Sequence, residues 1–182
     1  MTTYDYSSKI NIHQTMKTAL SEPEAAIDSM QYQHIMGYYA TGIAIITTLH
    51  QQQSIGFTVD SFCSVSSEPA LISFCTDSHA SVRSLLDETT NFCVNILSDK
   101  QKAIFPVFAK AGGTRFHATE YYRTTSNIPV LAGALAWLEC SVLAIHPAGN
   151  RNLILGRVHN MKIISDDKPL IYYKGHFGTF TH

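Results

Sequence analysis

The chain is poor in charge. Of its 182 residues only 15% are Asp, Glu, Lys or Arg, and 13 basic against 14 acidic side chains leave a formal net charge of −1. No basic run occurs, which argues against nucleic acid or an anionic membrane as a partner. No stretch approaches the roughly 20 consecutive apolar residues that a membrane span needs. Residues 1–29 lack the apolar run of a signal peptide. Together these absences predict a soluble, cytoplasmic protein. Motifs are missing too. The four cysteines, Cys63, Cys75, Cys93 and Cys140, form no C-x-x-C pair and read as free, reduced core thiols. The nine histidines show no H-x-x-x-H or H-x-H spacing, so no metal site is expected. Neither G-x-G-x-x-G nor G-x-x-x-x-G-K-[ST] appears, which argues against a Rossmann site and a P-loop. No G-x-S-x-G elbow is present to support acyl transfer. The carboxylates are isolated from one another. Glu139 lies in an apolar strand, where alternation would allow it to face outward.

What is present is a globular composition, 45% apolar, sized for one domain with one core. Residues 1–31 read as a polar N-terminal arm and residues 32–182 as the domain. The scarcity of surface charge fits either a face covered by another subunit or a charge-poor monomer. "QYQHIMGYYATG" predicts a short helix, its end bracketed by Gly37 and Gly42. "GIAIITTL" is dense in β-branched residues and predicts a buried strand. After the polar turn "HQQQS", "IGFTVDSFCSVS" predicts a second strand, irregular near Asp60. "ALISFC" and "NFCVNIL" predict two more. Between them, "SHASVRSLLDETT" predicts a helix, with Ser78 as its cap. "SDKQKAIFPVFAKA" predicts a second helix, capped by Ser98 and shortened or kinked by Pro106. "ALAWLECSVLAIHPA" predicts a long strand whose faces are marked by Leu135, Trp137, Leu143 and Ile145. "NLILGRVHNMKII" adds one or two strands, with Gly156 at a bulge or a close approach. The tally is six or seven strands without βαβ alternation. It predicts a mainly β fold: a small antiparallel barrel with short flanking helices.

One stretch stands out. "TVDSFCSVS" places four hydroxyls, Thr58, Ser61, Ser64 and Ser66, within nine residues at an irregular strand exit. Converging O–H and N–H donors bind a phosphate without much positive charge. Arg83, in the following helix, would add a cation. The alternative is a tight barrel corner whose small polar side chains satisfy their own backbone. Composition leaves both open.

Five blocks in one order and spacing carry a family resemblance: "YQHIMGYYATGIAIITTL", "GFTVDSFCSVSSEPALISFC", "NFCVNIL", "VLAGALAWLECSV" and "YYKGHFGTF". From about Tyr32 to Phe180 the chain resembles the flavin reductase family with the FMN-binding split barrel. That family includes reductase components of two-component flavin monooxygenases. The resemblance implies a six-stranded antiparallel Greek-key split barrel, a homodimer, and flavin (FMN or FAD) held near the dimer interface. It implies hydride transfer from NADH or NADPH to flavin, and delivery of reduced flavin to a partner monooxygenase. Because hydride passes directly between cofactors, no catalytic acid or base is expected.

The resemblance also assigns residues. Thr41, Gly42, Ile43 and Ala44, with Thr58, Val59, Asp60 and Ser61, match segments lining the flavin ring. Ser64, Val65 and Ser66 match the phosphate side. Ser81 and the strand from Phe92 to Asn95 match secondary contacts. Gly149, Asn150 and Arg151, with Phe177 as a movable cover, match the nicotinamide face. Two positions depart from the family. Asp60 stands where Asn is common, and its carboxylate would lower the flavin potential if it faced the ring. Asn150 and Arg151 replace an Asp-His pair. Arg is no substitute for a neutral imidazole; either it holds a donor phosphate, favouring NADPH, or donor recognition is lost. The second outcome would make the protein a flavin carrier or sensor. A third reading is a flavoenzyme acting directly on an organic substrate.

Overall fold

The computed structural model describes residues 26–77, 86, 91–109, 116 and 119–181. By contacts the chain divides into two units, Met1–Met36 and Gly37–His182. In the first, helix α1 covers Ser29–Met36, and none of its residues is buried. Its start is set by Asp28, whose carboxylate accepts a bond from Met30 N at 3.0 Å. The expected boundary between arm and domain, after residue 31, falls inside this helix.

The second unit is antiparallel β. Its strands are β1 (Thr41–Gly42), β2 (Ala44–His50), β3 (Gln53–Val59), β4 (Cys63–Ser67), β5 (Ala70–Asp77), β6 (Asn91–Ile96), β7 (Tyr121–Arg123), β8 (Pro129–Leu131), β9 (Ala136–Ala148), β10 (Arg151–Ile163), β11 (Leu170–Tyr173) and β12 (His176–Thr179). Seven of them form one sheet in the order β3-β2-β6-β9-β10-β5-β4. β3 and β4 are consecutive in the chain, yet they lie at opposite ends of that order. The three residues Asp60–Phe62 join them, so the sheet has to curl back on itself. Ring contact across the seam, Phe57 to Phe74 at 6.3 Å, agrees. The interior is filled from both ends of the order: Ala44, Ile46, Val59, Ile72, Phe74, Phe92, Val94, Cys140 and Ile154 form one buried cluster. This is the expected split barrel with a different strand count. The predicted second strand is two strands, because the chain leaves the sheet at Asp60 and re-enters on the far edge.

Local chemistry explains the corners. Gln51 and Gln52, at φ 48° and 64°, make the two-residue β2–β3 turn. Both central residues of such a hairpin take positive φ to match the twist of the strands. Gly156 satisfies both readings made of it. A Cβ there would meet Phe92 Cζ at 2.8 Å and Ile72 Cδ1 at 2.9 Å, and β9 and β10 slip register beside it. The slip pairs Gly156 with Val142 and Leu155 with Ala144, leaving Leu143 unpaired. Leu143 is therefore a bulge residue and exposed; the alternation drawn through Trp137, Leu143 and Ile145 does not continue through it.

The segment predicted as the second helix is a 3-10 turn, Asp99–Ile104, followed by a short helix α2, Phe105–Ala109. Pro106 lies at the junction end of α2, as its missing N–H favours. The Ser98 hydroxyl donates to Gly133 O at 3.0 Å, while its N–H is capped by Gln101 Oε1 at 3.2 Å. Phe108 and Ile104 pack into a second cluster with Ile43, Ile45, Leu97, Leu131 and Leu170. The helix predicted over 78–90 lies outside the described residues except Leu86, which is buried in the barrel core.

Candidate functional site

The β4–β5 edge shows where the hydroxyl-rich stretch puts its side chains. Ser61 is turned inward on the backbone. Its Oγ accepts Cys75 N at 2.9 Å, and lies 3.4 Å from Cys75 O. It therefore pins the strand exit to β5. The hydroxyls of Thr58, Ser64, Ser66 and Ser67 have no side-chain partner among the described residues, and Ser64 and Ser67 are exposed. Between Ser64 and Ser66 the ladder slips, and Val65 becomes the extra residue, half exposed. A bulge of this kind re-aims side chains at a sheet edge.

Register brings two predicted segments to this corner. Ala44 pairs with Val59 and Ile45 with Thr58, so the start of β2 runs beside the exit of β3. Ile43, Ala44 and Val59 are buried, so only their backbone is available to a ligand; Thr41 and Thr58 are partly exposed, Gly42 and Asp60 exposed. A Cβ at Gly42 would touch nothing within 4 Å. The space beside it is open.

Two residues expected as contacts are placed elsewhere. Phe92 is fully buried against Phe74, ring centroids 5.5 Å apart. Asn95 is fully buried beneath the β7–β8 hairpin. Its amide donates to Ile45 O at 2.9 Å and Thr47 Oγ1 at 3.0 Å, and its Oδ1 accepts Leu131 N at 2.8 Å. Both side chains support the barrel wall and do not line an open surface. The difference follows from packing on both faces of β6: Phe92 and Val94 enter the barrel core, while Cys93 packs with Ile128 and Val130 and Asn95 bonds Leu131, so neither face reaches solvent. Ser81 lies outside the described residues, as does Arg83.

The β9–β10 loop sits next to the same edge. Gly149, Asn150 and Arg151 are exposed, and Gly149 takes φ 61°. Arg151 pairs in register with Asp77, and their side chains approach to 3.7 Å. Asp77 is two residues beyond Cys75, the residue that Ser61 holds. On the opposite face, one rung on, Thr76 and Asn152 are buried, and Thr76 Oγ1 and both Asn152 amide atoms lack a hydrogen-bond partner among the described residues. Phe177 belongs to another sheet, β1-β11-β12. It pairs with Tyr172, which pairs on its other side with Thr41. Its ring packs edge-on against Phe105 at 4.8 Å, with Lys102 Nζ 5.6 Å above it. Phe177 is thus tied to Thr41 and the 3-10 turn; the structure records no contact between it and Arg151.

The thiols divide by exposure. Cys63 is exposed and lies 3.1 Å from Ser73 Oγ. Cys93 and Cys140 are buried. Desolvation raises both thiols, and the Glu139 carboxylate adds to the effect; Cys140 is pushed up to about 12. Glu139 itself is buried rather than outward-facing, and accepts a bond from Thr124 Oγ1 at 3.3 Å. The β7–β8 hairpin covers the outer face that alternation assigns to it. Among the described residues no cluster of His, Cys, Asp or Glu could hold a metal ion.

Known proteins resemble this chain. The flavin reductase like domain family matches residues 36–181. A flavin reductase of Pseudomonas putida is 30% identical over 165 residues, covering 90% of this chain and 97% of that protein. The reductase subunit HsaB of a flavin-dependent monooxygenase from Rhodococcus jostii is 30% identical, covering 84% of this chain and 78% of that one. Among solved structures, the NADH:FAD oxidoreductase SgcE6 of Streptomyces globisporus, in complex with NAD and FAD fragments, superposes with a TM-score of 0.80 at 26% identity, covering 85% of this chain and 93% of that one. On these matches the chain belongs to the flavin reductase like domain family.

Proposed function

We infer that this protein reduces FMN or FAD at the expense of NADH or NADPH and hands the reduced flavin to a partner monooxygenase. It is an NAD(P)H-dependent flavin reductase. The observation that carries the assignment of its site is the contrast between Ser61, whose hydroxyl is consumed by Cys75, and Thr58, Ser64, Ser66 and Ser67, whose hydroxyls have no partner among the described residues. The donor set fits a flavin: neutral hydroxyls suit a phosphate tail, and the open backbone at Gly42 suits a flat ring. Ser64, the Val65 backbone and Ser66 would hold the phosphate side. Thr41–Ala44 and Thr58–Ser61 would face the ring through main-chain groups.

Flavin supplies the redox chemistry when bound, accepting a hydride from the nicotinamide. The chain's residues bind, orient and exclude water. Arg151, held at the loop mouth by Asp77, is free to exchange that exposed carboxylate for a donor phosphate. Asp60 at the β3 exit puts a carboxylate near the ring edge and disfavours added negative charge there. Phe177 anchors the β11–β12 hairpin beside Thr41 and covers that flank of the site.

The protein acts as a homodimer in the cytoplasm. Support for the dimer comes from large exposed apolar side chains in the barrel unit, including Tyr38, Tyr39, Val65, Met161, Ile163 and Tyr173. No described helix is long and apolar enough to cross a membrane. The flavin-binding domain lies in the second unit, Gly37–His182. Anaerobic NADH and NADPH oxidation with added FMN or FAD tests the activity. Turnover is expected. Tight flavin binding with no turnover would make the protein a carrier instead. An Arg151→Ala variant with unchanged donor KM and rate would remove Arg151 from the site.

A further inference from the structure

The row of residues that starts at Ser66 continues across the barrel wall. Ser66 pairs with Leu71, Leu71 with Arg157, and Arg157 with Ser141. Directly paired residues project to the same face of a sheet, so these four side chains share the outer face. Ser66 and Arg157 are two strand spacings apart, about 10 Å between backbones, with one leucine between them. An extended arginine side chain spans much of that gap. Arg157 is exposed and makes no ion pair or hydrogen bond with any described residue. This contrasts with Arg123, bonded to Ser54 and Asn127, and with Arg151, paired with Asp77.

A second observation marks the same place. The β9–β10 ladder slips again just beyond Arg157, leaving His159 as the unpaired residue. His159 leans onto the same outer face, its Nε2 2.7 Å from Ser141 Oγ. An unpaired guanidinium, an imidazole and a hydroxyl thus converge beside the edge proposed to take the flavin phosphate. Their chemistry suits a second phosphate: a planar fork of donors, with neutral donors beside it.

Resting on the flavin-reductase reading, we propose that Arg157, assisted by the Ser141–His159 pair, binds the second phosphate of a dinucleotide flavin and so makes FAD the preferred flavin over FMN. FMN ends at the phosphate taken by the β4 edge, on whose outer face Ser66 lies. FAD carries a pyrophosphate that continues toward Arg157. The preference is a difference of affinities arising at one added phosphate.

The test is flavin titration, by quenching of flavin fluorescence, of the full chain and of Arg157→Ala and Arg157→Lys. The unsubstituted protein should bind FAD about tenfold or more tightly than FMN. Arg157→Ala should weaken FAD about tenfold and change FMN less than twofold, with Arg157→Lys between. Equal loss for both flavins, or no loss for either, overturns the proposal while leaving flavin binding intact. A raised KM for NADH or NADPH with unchanged FAD affinity also overturns it, assigning the patch to the donor's phosphates. Failure of the unsubstituted protein to bind either flavin would instead sink the underlying flavin-reductase reading.

Discussion

Two regions of this barrel are built from the same small polar residues and meet opposite fates. Under the β7–β8 hairpin, Thr47, Asn95, Ser98 and Gln101 are buried and bonded: Thr47 Oγ1 to Pro129 O at 2.5 Å, Asn95 to three groups, Gln101 Nε2 to Ala132 O at 2.8 Å. At the β3 exit and the β4 edge, the side chains of Thr58, Ser64, Ser66 and Ser67 have no partner among the described residues. A buried polar group must be paired, because leaving it unpaired costs about 1–3 kcal/mol. An edge group faces water and bears no such demand. The first set therefore reports on folding, and the second is the set we propose for binding. Composition alone does not separate them; strand position does.

Substitutions should separate the two regions cleanly. Asn95→Ala removes three hydrogen bonds and strands Leu131 N in the interior, so it should cost about 3 kcal/mol of stability. Denaturant unfolding measures this, and the fraction that remains folded should bind flavin normally. A stable variant that binds flavin poorly would move Asn95 back to the ligand. Gly156→Ala should cost about 1–3 kcal/mol by overpacking, since its methyl would press on Phe92 and Ile72. Its unfolding midpoint should fall while flavin affinity holds.

A milder probe uses the thiols. Cys140 and Cys93 titrate high in the folded state, but near 8.5 when unfolded. Above that value the unfolded chain releases protons that the native chain keeps. Stability should therefore be full below about pH 8.5 and fall as pH rises from about 9 toward 12. Replacing Cys140 with Ala should flatten that slope. At neutral pH, Cys63 should label quickly with a thiol reagent and the two buried cysteines only on unfolding. Flavin should slow labelling of Cys63, which lies between Ser61 and Ser64.

How much of this was legible in the sequence follows the same division. β-branched runs gave away β2, β5 and β6, because burial on both faces of a central strand demands apolar residues throughout. The crossing at Asp60–Phe62 was visible as an irregularity. That it joins opposite edges of the sheet was not, because strand order depends on non-local pairing. The hydroxyl-rich stretch stood out by composition and the resemblance matched the Arg151 loop, whereas alternation misread the exposure of Leu143 and Glu139. A single-residue bulge and a covering hairpin reversed those two, and neither leaves a local signal. Asn95 was matched by its position in a motif, and only its bonding partners reveal a wall residue. Arg157 sits in plain alternation; nothing short of the register links it to Ser66.

The account stands most directly on flavin titration of a Ser64→Ala/Ser66→Ala double variant, read beside its thermal unfolding. Hydrogen bonds to a charged phosphate contribute about 1.5–3 kcal/mol each. Flavin Kd should therefore rise at least tenfold, while the melting temperature stays within about 1 °C, since both hydroxyls are unbonded at an exposed edge. An unchanged Kd, or a loss of affinity that merely follows a loss of folded protein, would contradict it.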